Sequence, residues 1–571
     1  MRLQRVILGN LLVVMLHVSL SAEPPVGLAN RSWSDDELFT VVSHMPRVLK
    51  WEPGWEENGW GDNPTYSLLI NGYVGVACKD ALSFVDISDP LSPEVVATHW
   101  FGDRHRSIEN DGWGVTTGYG GIHAIVIDSS HLDIWDYADH TNPTHVGTVE
   151  LPRPYQPGNM DPWRYGVGYP VSAAWQAPYL YSAMRNVGID VIDVHDPADP
   201  RQIKRIDPGF GSGNVYVVGN LLFEANYNGP GIAIYDISDP ENPVLLDSEV
   251  KDEKAKGWQI WVNGNKLYRS GEAVHVWDVS NPSEMNYVKS FHRSETCIQQ
   301  GEGSHGHCAS GGTDTQDGYL FFGGSHFGVF KWNIETGEEV GYSGPFLKPG
   351  GEGRTDYYDL DYPSVFGNMV VGASEDHYQG VFFIPHQKDP DTTPPEVNMV
   401  VPADNATSRA LTSRVGVTFT DAVDVTSVTN ETFIVRKAGG SALEGKYSFS
   451  KSIVNFSPDE PLESGATYEV VIPAGGVTDY VGNATAADFV SRFSTGDAVA
   501  VKPVGKARTR AARAQASSIR MKPLLDEKAT DAANGRLFSI RGECVAATPD
   551  RSGTAMRRSI TPGIYVISPT E

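Results

Sequence analysis

The segment Ser304-His305-Gly306-His307-Cys308 carries two imidazoles two residues apart. On an extended strand that spacing puts both on one side, and neutral imidazole is a common ligand for zinc and copper. Neighbouring loops would bring His326 and His377 toward them. A transition metal at His305 and His307 is one reading; a Gly-rich loop with two unliganded histidines is the other. No HExxH and no paired CxxC accompanies them. Cys297 and Cys308 share the same loop and are candidates for a disulfide that would stiffen it. In that pairing Cys308 is not a ligand. A second set is charged: Arg185, Glu224, Tyr227, Arg269, Glu272, His326, Glu375, Asp376 and His377. Guanidinium, carboxylate, imidazole and phenol together can read a polar ligand through charge-assisted hydrogen bonds. Arg185, Tyr227, His326 and His377 are also the residue types that abstract and return a proton in a lyase. A solvated rim with incidental ion pairs is the alternative. The loop residues Trp51, Trp55, Trp60, Trp113, Trp163 and Tyr155 offer faces for stacking on sugar rings. No nucleophile elbow, phosphate loop or dinucleotide fingerprint is present.

The elements that must position these groups are announced by a repeated phrase. A short apolar strand ends in Asp and is followed by an Asp-Pro or Asn-Pro turn. The phrase reads FVDISDP at 84–90, IWDYADHTNP at 134–143, VIDVHDPADP at 191–200, IYDISDPENP at 234–243 and VWDVSNP at 276–282. Looser copies stand at 331–338 and 382–390. The anchors Asp86, Asp136, Asp193, Asp236, Asp278, Asn333 and Pro385 lie 42 to 57 residues apart. Units of that length with several strands each predict an all-β fold, a seven-bladed β-propeller over residues 23–392. The repeated Asp-x-x-Asp text resembles a calcium loop. Its recurrence favours a structural role, because Asp and Ser side chains bond local backbone in turns.

In the first unit, strands are expected over 67–70, 73–77, 82–87 and 94–100, with Asn71-Gly72 as the first tight turn. Gly219-Asn220, Gly264-Asn265, Asp317-Gly318 and Gly367-Asn368 repeat that signal in later units. The last unit lacks a fourth strand, and segment 39–51 is expected to supply it and close the ring. In an up-and-down blade, the first and third turns share one face; here they are short and rigid. The second turns and the long connections at 50–64, 102–113, 152–168, 251–258, 292–308 and 344–356 share the other. Long loops in a compact domain concentrate function. The charged set falls on that second face, around the mouth of the central channel, together with Lys79, Asp80 and Asn186.

The formal charge of −26 is uneven: residues 501–571 carry 13 Lys/Arg against 6 Asp/Glu, so the preceding 500 residues carry −33. An acidic body repels phosphates, which excludes nucleic acid as the expected partner. A polar ligand, a glycan or a surface protein remains. Residues 1–22 read as a secretory signal: Arg2 and Arg5, a short apolar run, then Ser19, Ser21 and Ala22. Residues 497–535 are rich in Ala, Lys and Arg and read as a linker.

Three stretches resemble known families. The repeated phrase resembles the LVIVD repeat family over roughly residues 60–390, which implies a propeller at a bacterial surface and no general activity. PPEVNMVVPADNAT, SRVGVTFTDAVD, YEVVIPAGGVTDYVGN and SRFSTG resemble the bacterial Ig-like domain family over 393–496, which implies a β-sandwich spacer or adhesive module. Arg541-Gly542 and Pro562-Gly563-Ile564-Tyr565, within 536–571, resemble a type IX secretion sorting domain; Glu543-Cys544 stands where a second basic residue is common. That likeness implies a small β sorting domain, outer-membrane export machinery as partner, and a location outside a Gram-negative-type bacterium. The expected function is binding or adhesion through the loop face. The alternative is a propeller enzyme on the same face, a polysaccharide lyase or a metal-dependent oxidoreductase or hydrolase.

Overall fold

The computed structural model describes residues 30–46, 64–70, 72–78, 81–100, 116–117, 122–126, 131–150, 172–184, 187–226, 229–257, 259–271, 273–292, 312–324, 328–344, 346–348, 357–358, 360–373 and 380–496, with three short strands beyond residue 535. Among these residues the regular structure is β-strand with two single 3-10 turns, and no helix is long and apolar enough to cross a membrane.

Seven four-stranded sheets follow one another, over 64–100, 116–150, 172–206, 214–249, 259–291, 313–342 and 362–385. The seventh is completed from the N-terminus: Ser43–Met45 pairs antiparallel with Val381–Pro385, placing Ser43 opposite Phe383. The expected closing segment thus contributes three residues as strand. Phe39, at φ 55°, turns the chain just before them and lays its ring where a side chain on Gly341 would stand. The repeat dictates the sheets locally. Asp86, Asp136, Asp193, Asp236 and Asp278 each accept a hydrogen bond from the backbone N–H two residues on, at 2.8–2.9 Å. Asn333 does the same for Glu335 at 3.0 Å. These are turn-forming bonds, the structural role expected of the phrase. Gly219, Gly264 and Gly367 take φ of 55–57°, which a two-residue hairpin turn demands and a Cβ resists.

Adjacent sheets are joined by apolar side chains from alternating strand positions. Val74, Val76 and Val85 of the first sheet meet Phe366, Met369, Val371 and Phe383 of the seventh. Phe223 and Ile234 of the fourth meet Ile260, Val262 and Trp277 of the fifth. Each such side chain contributes about 1.5–3 kcal/mol on burial. Polar ties link the innermost strands. Asn214 donates to Ser172 Oγ (3.4 Å) and accepts from the Ile260 N–H (3.2 Å). Trp261 Nε1 donates to Thr315 Oγ1 (2.7 Å), and Asp314 Oδ2 accepts from the Val365 N–H (3.0 Å).

Residues 397–495 form two further four-stranded sheets. Val397–Val401, Val415–Phe419, Ile453–Pro458 and Gly445–Ser450 make one; Ala406–Arg409, Phe489–Thr495, Thr467–Ile472 and Ile434–Lys437 make the other. Phe419, Phe433, Val454, Phe456, Tyr468, Val470 and Phe493 fill the space between them. This sandwich and the seven sheets belong to one compact unit, and residues 511–571 to another. In the second unit Arg536–Phe538 pairs with Cys544–Ala547 on one side and Tyr565–Val566 on the other.

Candidate functional site

The two faces of the seven-sheet body have different fates. The face of short turns, expected to be quiet, carries the Ig-like sandwich. Gly219 donates its N–H to Asn455 Oδ1 (2.7 Å), and Asn455 Nδ2 returns a bond to the Val217 carbonyl (3.0 Å). The Gly264 N–H donates to Thr418 Oγ1 (3.0 Å), and Asn263 Nδ2 to the Phe419 carbonyl (2.8 Å). The Asp317 N–H donates to the Thr420 carbonyl (3.0 Å). Arg414 donates to Gln176 Oε1 (2.9 Å) and lies over the Tyr179 ring. Backbones meet directly at Gly416, where a Cβ would stand 1.9 Å from the Gly219 nitrogen. Lys451, held at φ 51° in the turn between two sandwich strands, inserts its ammonium among the innermost strands. There it donates to Asp314 Oδ2 (2.8 Å) and Ser364 Oγ (3.2 Å), with both charged side chains 6% exposed. The sandwich therefore seals this face rather than standing clear of the body as a spacer.

The opposite face is where the charged set was expected, and two of its members are described. Glu224, on Leu221–Ala225, is fully buried between the third and fourth sheets. Neither carboxyl oxygen has a hydrogen-bond partner. Burial pushes its pKa up to about 8, opposed by the nearby Ser212 hydroxyl and reinforced by Asp207. Glu224 thus holds its proton at neutral pH. Arg269 occupies the equivalent place on Lys266–Ser270 of the next sheet and is also fully buried. Its Nε donates to the Ala255 carbonyl (3.0 Å), and one terminal nitrogen to those of Asn226 (2.5 Å) and Gly257 (2.8 Å). Burial lowers its pKa to about 9.

Arg269 therefore binds loop backbone rather than solvent: it ties the second turn of the fourth sheet to the connection that enters the fifth. Neither residue lines an open mouth as the ring reading required. Arg185, Tyr227, Glu272, His326, Glu375, Asp376 and His377, the histidines His305 and His307, and the cysteines Cys297 and Cys308 lie outside the described residues. His275, half-buried on Val274–Asp278, meets Ser290 Oγ at 2.5 Å, and burial lowers its pKa to about 4, so it is a neutral packing residue.

Sequence reasoning assigned no role to Asn455, Thr418, Arg414 or Lys451. They are polar residues on or beside sandwich strands, Lys451 in a turn between two of them, and only their burial by the propeller-like body distinguishes them from surface residues.

The LVIVD repeat model matches residues 69–98, 211–248 and 255–292, which are the first, fourth and fifth sheets. The bacterial Ig-like domain model matches residues 391–495. No curated protein matches the chain. Among solved structures, the crystal structure of the computationally designed Ika8 protein is similar at 11% identity with a TM-score of 0.38, covering 61% of this chain and 99% of that one.

Proposed function

We propose that this protein is a secreted or cell-surface binding protein that meets a polar ligand, with glycans the first class to test, through the loop face of its seven-sheet body. The observation that carries this reading is the sealing of the other face. Lys451, Asn455, Arg414 and Thr418 commit the short-turn face to the Ig-like sandwich. A ligand that enters along the axis then meets the long connections and second turns. Arg269 supports this role by tying two loops of that face to the sheets beneath them. The apolar run at residues 6–16 would direct export, and the likeness of residues 536–571 to a type IX sorting domain would place the protein outside the outer membrane. The second reading, an enzyme on the same face, would have to draw its reacting groups from the loops, because Glu224, though its pKa is raised to about 8, is fully buried.

Full-length protein screened on a glycan array, then titrated by calorimetry, tests the first reading. Binding that drops at least tenfold in Arg185→Ala or His377→Ala and is unchanged in Lys446→Ala supports it. Binding indifferent to the loop-face substitutions, or absent for every glycan, refutes it. A rise in ultraviolet absorbance on incubation with uronic-acid polysaccharides would replace it with the lyase.

A further inference from the structure

Segment 30–45 does more than complete the seventh sheet. Its last residues are the closing strand, with Met45 opposite Val381 and Ser43 opposite Phe383. The rest keeps running antiparallel to the chain as that chain leaves the sheet. Val42 N–H donates to the Phe383 carbonyl (3.0 Å), Phe39 N–H to that of Pro385 (2.8 Å) and Trp33 N–H to that of Lys388 (2.8 Å). Asn30 pairs with Asp391 twice: its Nδ2 donates to the Asp391 carbonyl (2.8 Å), and its Oδ1 accepts from the Asp391 N–H (2.6 Å). Segment 30–45 thus follows residues 381–391 out of the seventh sheet and onto the connection to the sandwich, whose first strand starts at Val397.

Side chains fasten both ends. At the sheet end, the His44 ring stacks on Phe382 at 4.2 Å, and Phe39 fills the space beside Gly341 of the sixth sheet. At the other end, Trp33 is 3% exposed and shares an apolar cluster with Val74 and Val76 of the first sheet and Phe366 and Met369 of the seventh. Tyr480 of the sandwich packs against the same cluster. Trp33 Nε1 donates to Asn368 Oδ1 (3.3 Å), and Asn368 Nδ2 donates to the carbonyls of Arg31 (2.6 Å) and Asp389 (3.0 Å).

Asp391 is where the parts meet. Its carbonyl accepts from Asn30 and from Asn483 of the sandwich (3.3 Å), and its Oδ2 accepts from Gln316 of the sixth sheet (3.2 Å). It is 2% exposed, so backbone groups that lost Asn30 would have no ready replacement in water.

We propose that segment 30–45 is a strap that makes closure of the seventh sheet and seating of the sandwich one cooperative event. Neither attachment is large. The closing strand has 3 residues, and so short a pairing is marginal by itself. The other end rests chiefly on Trp33 and Asn30. Chain continuity makes them cooperate: with one end bound, the short stretch between Trp33 and Val42 holds the other at high effective concentration. Peeling either end therefore weakens the other. The strap acts whatever the loop face binds.

Hydrogen exchange in the full-length protein tests this, with one mild substitution at each end. Asn30→Ala removes the two bonds to Asp391 and leaves every residue of the closing strand in place. His44→Ala removes the stack on Phe382 and leaves every residue around Asp391 in place. Asn30→Ala should speed exchange of the Val42 N–H by about fivefold or more, as local opening of the closing strand becomes easier. His44→Ala should do the same, about fivefold, to the Asp391 N–H and to the Asp317 N–H that donates to the Thr420 carbonyl of the sandwich, because coupling is reciprocal. The Phe223 amide, inside the fourth sheet, should stay unchanged in both variants, which shows that they are folded. Exchange that rises only at the substituted end overturns the proposal, since the segment would then make two independent contacts.

Discussion

Replacing Lys451 by Met should loosen the sandwich from the body while leaving each folded. The Lys451 ammonium lies 2.8 Å from Asp314 Oδ2, and both side chains are 6% exposed. Removing one partner of a buried pair costs about 3–5 kcal/mol, because the other charge stays behind without water. Asp314 keeps hydrogen bonds from the Thr315 N–H (2.9 Å) and the Val365 N–H (3.0 Å), so the lower end applies, about 3 kcal/mol. Three amides report the docked state directly, since their bonds run to the sandwich: Gly219 N–H to Asn455, Gly264 N–H to Thr418 and Asp317 N–H to Thr420. Hydrogen exchange at these sites reads the local opening free energy. A loss of about 3 kcal/mol should speed exchange there by roughly 150-fold. Amides inside the fourth sheet, such as Phe223, should change far less. Adding Asp314→Asn should restore most of the protection, because replacing both members of a buried pair is often close to neutral. If Lys451→Met speeds exchange at Gly219 and Gly264 less than about threefold, or if the second substitution restores nothing, the pair does not hold the domains together.

Three further outcomes follow from the same geometry. Glu224 has a raised folded-state pKa of about 8, so between the unfolded value near 4.5 and 8 the folded protein binds the extra proton. Stability should therefore fall by up to about 1.4 kcal/mol per pH unit as pH rises through that window, and level off above it. Glu224→Gln should remove that component of the slope, measured by urea denaturation at pH 5 to 8. Arg269→Leu strands buried carbonyls at Asn226, Ala255 and Gly257 and should cost about 3 kcal/mol, seen as a lower Tm and faster proteolysis near residue 227. Gly337→Ala, at φ 76° with open space around it, should cost about 1 kcal/mol. Gly219→Ala carries the same backbone penalty, and its Cβ would also stand 2.8 Å from Val401. Its excess loss of stability over Gly337→Ala measures how tightly the sandwich is seated.

The sheets themselves were legible because their determinants are local. An Asp that accepts a bond from the N–H two residues on, a Gly at positive φ and an alternating apolar strand act within a few residues, and each leaves its mark in the sequence. The two families matched were legible from the same kind of text, and even the closing strand could be anticipated from a seventh unit one strand short. The placement of Glu224 and Arg269 was only half legible. Their strands and second turns were anticipated, yet an ionisable residue beside a turn looks the same in sequence whether it faces water or the next sheet.

What the tertiary structure alone decided is the fate of the short-turn face. Its docking surface is built from Asn, Thr, Arg and Lys side chains on sandwich strands and their turns and from backbone groups of hairpin turns. Polar residues at such positions follow the ordinary pattern of a solvated strand or turn, so no periodicity marks them as buried. Asp317, Asp391, Asp421 and Asp479, which come together in the fold, are more than 150 residues apart at their extremes, 317 to 479, and each reads singly as a turn residue. Only when the chain brings the sixth sheet, the segment 386–396 and the sandwich together do these carboxyls come to share one environment. Burial then raises the energetic cost of their charge, because a charge that water screens in the unfolded chain must be matched by something else in the fold.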